Sequence, residues 1–513
     1  MATLYNRDSA LSSNRKDGVL RKLSPIESFQ SATHLLGLYV GCVISCRYHV
    51  PGTLLTSATE PSFESRIELA IAQAISQLPV FTVGRINVDT KKPLWVRLDR
   101  IDFNNHIKWQ TVSETEDYTN VHDDALDWQV NTPYANLDAQ PLWRSTIIRP
   151  ANSNFIDVIF AWDHTAGDGK SGKLFQDKLL ACLNDGTEAQ DNVVLQGRVF
   201  KVPVADFTPP LHRLIKLPVS LNFILGEFGR DLIATTRPNK PPQTAQWAPI
   251  KTGLAKSRLL QIEIAKDFLG PILNACREHE TTLTGLLQTL LLVSMAARVD
   301  ESKARAFECG TPVCLRQFQQ PGTSNIDMNK TALNSVVYWP FVFDQEIVAT
   351  LRRQISDAKA TPELNSQVEA TVWSAAKAIR GGLSAKLKQG AKNDPVGLAK
   401  FITNWKSFLM DHTKSRVMSW EVSNLGVFNG GASEETTGGQ QKWTVESATF
   451  SQSASVSGPA LTFSTISVKG GALVLSCSWQ VGVVEDELAK GVSADIKSWL
   501  NQLGATGKIQ FAT

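Results

Sequence analysis

The chain has 513 residues, more than one ordinary domain core accommodates, so two large lobes or one unusually large α/β unit are expected. Hydrophobic residues make up 42% of the chain and charged residues 20%, as in soluble globular proteins. The formal net charge of +3, without any cluster of Lys and Arg, argues against a dedicated nucleic-acid surface.

Signals for targeting and metal binding are missing from the sequence. Residues 1–20 are polar and mixed in charge, which predicts a flexible N-terminus without a secretion signal. The most apolar run, residues 286–296, is much shorter than the roughly 20 residues of a membrane span. The seven cysteines fit no zinc pattern. We therefore expect a cytoplasmic protein with reduced thiols, no transmembrane segment and no metal site.

The first segment, 21–235, opens with a helix signal. Ser24 can cap a helix that has Pro25 at its first position and Glu27 three residues after the cap. An apolar stripe at helical spacing predicts a helix over 63–78. Runs rich in β-branched and aromatic residues predict strands at 41–50, 80–83, 95–98, 105–112, 141–148 and 155–162.

The last of these strands leads into the stretch around which the chain is organised. His164 follows the strand, Asp168 and Gly169 come next, and a helix is predicted over 173–183. We expect Gly167 and Gly169 to adopt positive φ angles, so that His164 points into a cavity and Asp168 points back into the protein. A neutral imidazole with a pKa near 7 suits abstraction of a proton from an alcohol or amine. His164 is therefore the candidate catalytic base.

Residues 236–250 carry four prolines and little apolar periodicity, which predicts a crossover linker, 236–256, before a second segment, 257–513. In that segment we predict strands at 257–264, 307–315, 334–343, 420–428, 460–467 and 472–479. Helices are expected at 265–279 and 283–297, with one or two within 344–380 and a last one running through Leu503. Residues 429–439 are predicted to be a polar loop.

The motif His164-Thr165-Ala166-Gly167-Asp168-Gly169 resembles the His-x-x-x-Asp-Gly motif of the coenzyme A-dependent acyltransferase superfamily. Within that superfamily the chain looks most like the fungal alcohol acetyltransferases, with supporting stretches at 21–27, 141–144, 310–316 and 422–426. The resemblance implies an α/β fold (α+β, chloramphenicol acetyltransferase-like). It would have two related lobes, each a mixed β-sheet flanked by helices, with the active-site tunnel between them.

The same resemblance implies a mechanism. His164 would deprotonate the acceptor hydroxyl, which attacks the thioester of acetyl-CoA directly in a ternary complex. Acetyl-CoA is then a co-substrate, and no cofactor is bound permanently. Asp168 would pair with Arg316 and, together with Gly169, hold the active-site turn. A solvated arginine at a strand end is the alternative interpretation of Arg316.

Other site residues are suggested by position alone. Possible oxyanion or substrate contacts are Ser423, Asn424, Gln452 and Ser453, with a turn that touches no substrate as the alternative. Possible coenzyme A contacts are Lys170 and Lys173, with a solvated helix start as the alternative.

Three functional hypotheses stay open. The first is a monomeric O-acetyltransferase acting on a small hydrophobic alcohol, such as a terpenoid of the trichothecene type. The second is a condensation-like enzyme that takes its acyl group from a carrier protein. Asp163 argues against it, because condensation domains usually have a second histidine at that position. The third is a non-catalytic binding protein on the same fold.

Overall fold

The computed structural model describes residues 18–511, apart from 56–61, 186–192, 227–243, 254, 321, 323, 413–414 and 432–441. The predicted flexible N-terminus therefore lies outside the described residues up to residue 17, and a strand begins at Val19. Most of the predicted loop 429–439 and part of the predicted linker also lie outside them.

The described strands, in chain order, are β1 (Val19–Lys22), β2 (Cys42–His49), β3 (Val83–Ile86), β4 (Leu94–Arg97), β5 (Arg100–Asp102), β6 (Ile107–Val112), β7 (Trp143–Pro150), β8 (Phe155–Trp162), β9 (Leu195–Gln196), β10 (Val199–Lys201), β11 (Ser257–Ile264), β12 (Phe307–Cys314), β13 (Val336–Phe343), β14 (Trp420–Phe428), β15 (Thr444–Gln452), β16 (Leu461–Val468) and β17 (Leu473–Gln480). The helices are α1 (Pro25–Leu35), α2 (Gly52–Leu55), α3 (Phe63–Ser76), α4 (Tyr118–Asn131), α5 (Gly169–Asp185), α6 (Leu211–Leu214), α7 (Lys266–Glu278), α8 (Leu283–Arg298), α9 (Gln345–Ala360), α10 (Asn365–Gln389), α11 (Trp405–His412) and α12 (Asp486–Thr506).

Two mixed sheets dominate the molecule, as the sequence predicts. The five-stranded sheet has the order β15-β2-β8-β7-β6, with β6 and β7 parallel and its other pairs antiparallel. The six-stranded sheet has the order β11-β17-β16-β14-β12-β13, with β14 parallel to both of its neighbours. Two further sheets have three strands each.

Helices cover the sheets because alternate strand residues are apolar. Buried residues of α3 and α5 share one core with β8 of the five-stranded sheet, and α4 covers its opposite face. The largest core of the second half joins α7, α8 and α12 to one face of the six-stranded sheet. No helix of the described ranges is long and apolar enough to cross a membrane.

Strand β15 lies in the sheet that is otherwise built from the first segment. It pairs antiparallel with β2, from Thr444 opposite His49 to Gln452 opposite Cys42. The boundaries 21–235, 236–256 and 257–513 stay predictions, but the segments do not correspond one to one with the sheets. The two halves of the chain are linked by backbone hydrogen bonds as well as by side-chain packing.

Several local predictions need correction. Residues 80–83 were expected to form a strand, but a 3-10 turn occupies Pro79–Thr82 and β3 begins only at Val83. Proline has a fixed φ and no N–H, which suits the first position of such a turn. Helix α4 was not predicted; Asp117 caps it, accepting from the backbone N–H groups of Thr119 and Asn120.

Candidate active site

The turn that carries His164 is folded against the end of β8. Strand β8 ends at Trp162, so its side-chain alternation does not continue to His164. The indole Nε1 of Trp162 donates to the carbonyl of Gly167 at 2.9 Å. A Cβ on Gly172 would lie 2.1 Å from the ring of Trp162, so only glycine allows α5 to approach this closely. His164 is half-buried at the top of this turn.

The glycines of the motif are needed because a side chain would have no room, and not because they adopt positive φ angles. This corrects the sequence prediction. Neither Gly167 nor Gly169 has a positive φ. A Cβ on Gly169 would lie 2.6 Å from a methyl group of Leu425 in β14, and one on Gly167 would lie 2.5 Å from Cβ of Ser171. Gly169 therefore permits close contact between the active-site turn and the six-stranded sheet.

Asp163 anchors the N-terminal side of the turn. Its Oδ2 accepts from Nη2 of Arg85 at 2.6 Å and lies 3.3 Å from Nδ1 of His34. Its Oδ1 accepts from the backbone N–H of Thr165 at 2.7 Å. Burial opposes ionisation of this carboxyl, but Arg85 and His34 hold its pKa below the usual value. The residues on both sides of His164 are thus fixed by one buried ion pair.

Asp168 anchors the other side, and it pairs with Arg316. Its Oδ2 accepts from Nη1 of Arg316 at 2.5 Å, and both side chains are fully buried. The same oxygen accepts from the backbone N–H and the hydroxyl of Ser335, while Oδ1 accepts from those of Ser171, each at 3.1 Å. Although burial favours the neutral acid, Arg316 lowers the pKa of Asp168. The pair joins the turn after β8 to the turn after β12.

Arg316 also shapes the segment between β12 and β13. Its Nε donates to the carbonyl of Met328 at 2.9 Å, and Nη2 donates to the carbonyl of Leu333 at 3.0 Å. The backbone N–H of Asp168 donates to the same Leu333 carbonyl at 3.4 Å. These bonds hold the backbone next to the active-site turn and so determine where Asn334 lies.

Asn334 contacts His164 directly. Its Nδ2 donates to the backbone carbonyl of His164 at 2.9 Å and lies 3.0 Å from the imidazole Nδ1. The carbonyl oxygen can only accept, which fixes the orientation of the amide. The Asn334 Oδ1 is buried and has no hydrogen-bond partner among the described residues.

The imidazole itself is held neutral. Burial lowers the pKa of His164, and this effect outweighs a hydrogen bond to its own backbone carbonyl and the charges of Asp168 and Asp163, which raise the pKa. Within the described part of the chain, Nε2 makes no hydrogen bond, whereas Nδ1 faces Asn334 and the His164 carbonyl. The ring therefore offers Nε2 to a ligand.

The four residues suggested as oxyanion or substrate contacts lie in different settings. Ser423 is buried, and its hydroxyl makes no hydrogen bond that the structure records for the described residues. Asn424 is exposed; its Nδ2 donates to Thr284 and its Oδ1 accepts from the N–H of Gly426. Gln452 is the last residue of β15, and Ser453 follows it.

Gln452 connects the two sheets near His164. Its Oε1 accepts from the hydroxyl of Tyr39 at 3.1 Å, and its Nε2 donates to Ser464 at 3.0 Å. The Tyr39 ring lies 5.9 Å from the His164 ring, centroid to centroid. Ser453 has a structural contact: its hydroxyl accepts from the backbone N–H groups of Val40 and Gly41 at 3.0 and 3.2 Å.

The lysines suggested as coenzyme A contacts also differ. Lys170 is exposed at the start of α5. Lys173 donates to the backbone carbonyl of Val427 at 2.5 Å, and its desolvation lowers its pKa. Lys173 thus ties α5 to β14. The predicted tunnel stays a prediction; a groove of about 250 Å³ opens elsewhere, beside Ser24 and Leu211, and contains none of the predicted site residues.

Sequence reasoning missed Asn334, Tyr39 and the Arg85–Asp163 pair. Each reaches the site from a distant segment, and a single asparagine or tyrosine in a turn carries no local signal. Asp163 had one: it is an acidic residue at the end of an apolar strand, where a buried carboxylate needs a cation. The partner Arg85 could not be identified without the fold.

Comparisons with known proteins agree on a family and a fold. The family model described as "Alcohol acetyltransferase" matches residues 102–492. A probable alcohol acetyltransferase, FCK4, from Fusarium pseudograminearum is 25% identical over 501 residues, covering 96% of each chain. Another, crmB, from Aspergillus fumigatus is 23% identical over 486 residues, covering 90% of this chain and 95% of the relative.

Solved structures share the fold at low sequence identity. TRI3, a trichothecene 15-O-acetyltransferase from Fusarium sporotrichioides, superposes with a TM-score of 0.65 at 15% identity, covering 91% of this chain and 93% of that one. The first condensation domain of the CDA synthetase gives a TM-score of 0.57 at 12% identity, covering 97% and 99%. The fold is thus that of chloramphenicol acetyltransferase-like acyltransferases and condensation domains.

Proposed function

Because this chain belongs to the alcohol acetyltransferase family, we propose that it transfers the acetyl group of acetyl-CoA to a hydroxyl of a small hydrophobic alcohol. Family membership makes the chain an acetyltransferase with an alcohol as acceptor; the donor, the acceptor class and the mechanism are our proposal. The observation that carries it is the His164 imidazole, which is held neutral by burial between Asn334 and Tyr39, with an Nε2 that no described residue binds.

In the proposed mechanism, Nδ1 carries the hydrogen and directs it at the His164 carbonyl, the Asn334 amide donates to that carbonyl and not to Nδ1, and Nε2 presents its lone pair. Nε2 takes the proton of the acceptor hydroxyl, and the oxygen attacks the thioester carbonyl carbon. The tetrahedral intermediate collapses as the carbon–sulfur bond breaks. The thiolate of coenzyme A leaves and takes the proton back from the imidazolium. No covalent enzyme intermediate is formed.

The transient oxyanion needs a hydrogen-bond donor. We assign this role to Ser423, because the residue is buried in β14 and its hydroxyl makes no recorded hydrogen bond to another described residue. The amide of Asn424 is engaged with Thr284 and Gly426. Ser453 accepts from two backbone N–H groups and is assigned a structural role.

The acceptor class is proposed from a relative of the same fold. TRI3 is named for acetylation of a trichothecene, and this chain aligns with it over 91% of its length. We extend this to a fungal specialised metabolite, such as a terpenoid alcohol. The polar side chains between the sheets, including buried Gln452 and half-buried Tyr39, suit an acceptor that carries polar groups on an apolar skeleton.

A thiol-release assay with acetyl-CoA and a panel of terpenoid and aliphatic alcohols tests the proposal. Wild type is expected to release coenzyme A only when an alcohol is present. His164→Ala should lower kcat by about 10²- to 10⁴-fold. His212→Ala, which removes an exposed histidine, is the matched control and should keep wild-type activity.

Two results would contradict the proposal. If His164→Ala keeps most of the activity, His164 is not the base. If wild type releases no thiol from free acetyl-CoA with any alcohol but turns over an acylated carrier protein, the condensation-like hypothesis replaces ours. Acceptor binding by calorimetry without any turnover would favour a non-catalytic protein.

A further inference from the structure

The two faces of β14 differ in chemistry. Trp420 and Val422 belong to the helix-covered core of the six-stranded sheet. Side chains alternate along a strand, so Glu421 and Ser423 lie on the opposite face. On that face Ser464, the register partner of Ser423, accepts from Gln452 of the five-stranded sheet. Glu421 therefore faces the space between the two sheets.

Tyr338 lies beside Glu421. Gly310 of β12 is the register partner of Glu421, and a Cβ on Gly310 would lie 2.0 Å from the ring of Tyr338. The Tyr338 ring thus covers Gly310, and the Tyr338 hydroxyl lies towards the Glu421 carboxyl. That hydroxyl is buried and makes no hydrogen bond of normal length to any described residue.

A chain of contacts connects Glu421 to the catalytic site. The Nε2 of Gln452 donates to Ser464, the register partner of Ser423, on the sheet face that also carries Glu421. The Oε1 of Gln452 accepts from Tyr39, whose ring lies 5.9 Å from the His164 ring. The Glu421 carboxyl, on β14, and the His164 imidazole, in the turn after β8, therefore face the same region.

Glu421 has no cationic partner, unlike other buried acids. In the part of the chain that the structure describes, seven acidic residues are buried, and six of them form ion pairs with Arg or Lys. These pairs are Glu27–Arg21, Glu68–Arg198, Asp157–Arg47, Asp163–Arg85, Asp168–Arg316 and Asp394–Lys386. Glu421, 8% exposed, pairs with none of the described cations.

An unpaired buried carboxyl is costly, and burial raises the pKa of Glu421 to about 7 even though Tyr338 and Gln452 lower it. A purely structural position would be better served by an amide or an apolar side chain. Groups of this kind, near a catalytic residue, mark ligand sites.

We propose that Glu421, with Tyr338 and Gln452, binds a second hydroxyl group of the acceptor, so that the preferred acceptor is a diol or polyol. The inference rests on the proposed function and narrows its substrate class. A hydroxyl can donate to the carboxylate, accept from the protonated carboxyl and accept from the Tyr338 phenol, which lies near the Glu421 carboxyl but makes no hydrogen bond of normal length to any described residue. The hydroxyl that is acetylated would lie at His164, and the second one at Glu421.

The test compares pairs of acceptors that share one carbon skeleton and differ by a second hydroxyl. For each pair, the preference is the kcat/KM of the diol divided by that of the mono-ol. Wild type is expected to prefer the diol, and Glu421→Gln should lower the preference roughly tenfold or more. Tyr338→Phe should lower it less. Glu446→Gln, at an exposed position of β15, is the matched control and should keep it.

The failures of the inference and of the proposed function are distinguishable. If Glu421→Gln folds and acetylates alcohols with an unchanged preference, the inference is wrong and the proposed function stands. The same holds if wild type has no diol preference, or if only the KM for acetyl-CoA rises, which would place Glu421 at the pantetheine arm. If Glu421→Gln does not fold, an unchanged preference in Tyr338→Phe overturns the inference. If wild type releases no thiol with any acceptor, the proposed function fails first.

Discussion

The amide nitrogen of Asn334 lies 2.9 Å from the carbonyl oxygen of His164 and 3.0 Å from its Nδ1, although the two residues are 170 positions apart. The segment that carries Asn334 is held by Arg316, which is itself paired with Asp168 of the same turn as His164. The orientation of the base thus depends on the second half of the chain. Replacing Asn334, Arg316 or Asp168 should therefore change the position of the imidazole as well as the rate of proton transfer.

Replacing Asn334 with Ala should lower kcat roughly 10- to 100-fold and leave the KM values nearly unchanged, because the His164 carbonyl, at which Nδ1–H is directed, loses the donor that holds it in place. Steady-state kinetics with acetyl-CoA and a good acceptor measure the split between kcat and KM. Asn329→Ala, at an exposed position nearby in the chain, is the control and should behave like wild type. An Asn334→Ala enzyme with wild-type kcat would show that the contact has no catalytic consequence.

Replacing Asp168 with Asn should lower the free energy of unfolding by about 3 kcal/mol, because Arg316 would be left buried without its counter-charge. Urea denaturation measures this, with Asp185→Asn at the exposed end of α5 as the control. The Asp168 charge raises the pKa of His164. Removing that charge should therefore leave the acid limb of the pH–activity profile in place or move it to lower pH. An unchanged free energy of unfolding would contradict the conclusion that the Asp168–Arg316 pair holds the two turns together.

The acid limb of kcat/KM should have its midpoint below 6.5. Burial lowers the pKa of His164 from the ordinary value of a histidine, so the imidazole stays neutral, and able to accept a proton, to a lower pH than a free histidine. Activity is therefore expected to be lost as the pH falls through the lowered pKa and to be present above it. A pH profile of kcat/KM for the acceptor, measured with wild type at saturating acetyl-CoA, tests this. A midpoint clearly above 6.5 would mean that another group controls the limb.

Two serines provide a matched comparison. Ser423→Ala should lower kcat by about 10²-fold if its hydroxyl donates to the oxyanion, with little effect on thermal stability. Ser453→Ala should instead lower stability by about 1 kcal/mol, because the N–H groups of Val40 and Gly41 lose their acceptor. Kinetics and thermal melts of both variants distinguish these roles. The opposite pattern would exchange the two assignments.

Local patterns were sufficient to predict much of the fold. The strands at 141–148 and 155–162 correspond to β7 and β8, which are both rich in β-branched and aromatic residues. The capping box at Ser24 is present, with the Glu27 side chain accepting from the backbone N–H of Ser24 at 2.5 Å. Helix α4 was missed because only Ala125, Leu126, Gln129 and Val130 of it are buried, so its apolar stripe is weak.

The candidate site was only partly accessible from sequence, for a physical reason. His164, Asp168 and Gly169 form a local motif, and Arg316 was expected opposite Asp168 by resemblance alone. Asn334, Tyr39 and Glu421 lack such a motif, because their positions depend on which strands become neighbours. The positive φ angles predicted for Gly167 and Gly169 were wrong because the constraint is close packing against Leu425 and Ser171, which the sequence does not reveal.

Strand β15 also affects the order of events during synthesis. Strand β2 leaves the ribosome early, yet its partner Thr444–Gln452 follows roughly 400 residues later, which at about 5–20 residues per second is a delay of roughly 20–80 s. During that interval one edge of β2 has unpaired N–H and C=O groups, which can pair with other chains. The nascent chain should therefore depend on chaperones until its C-terminal third emerges, and the catalytic turn should become ordered only near the end of translation.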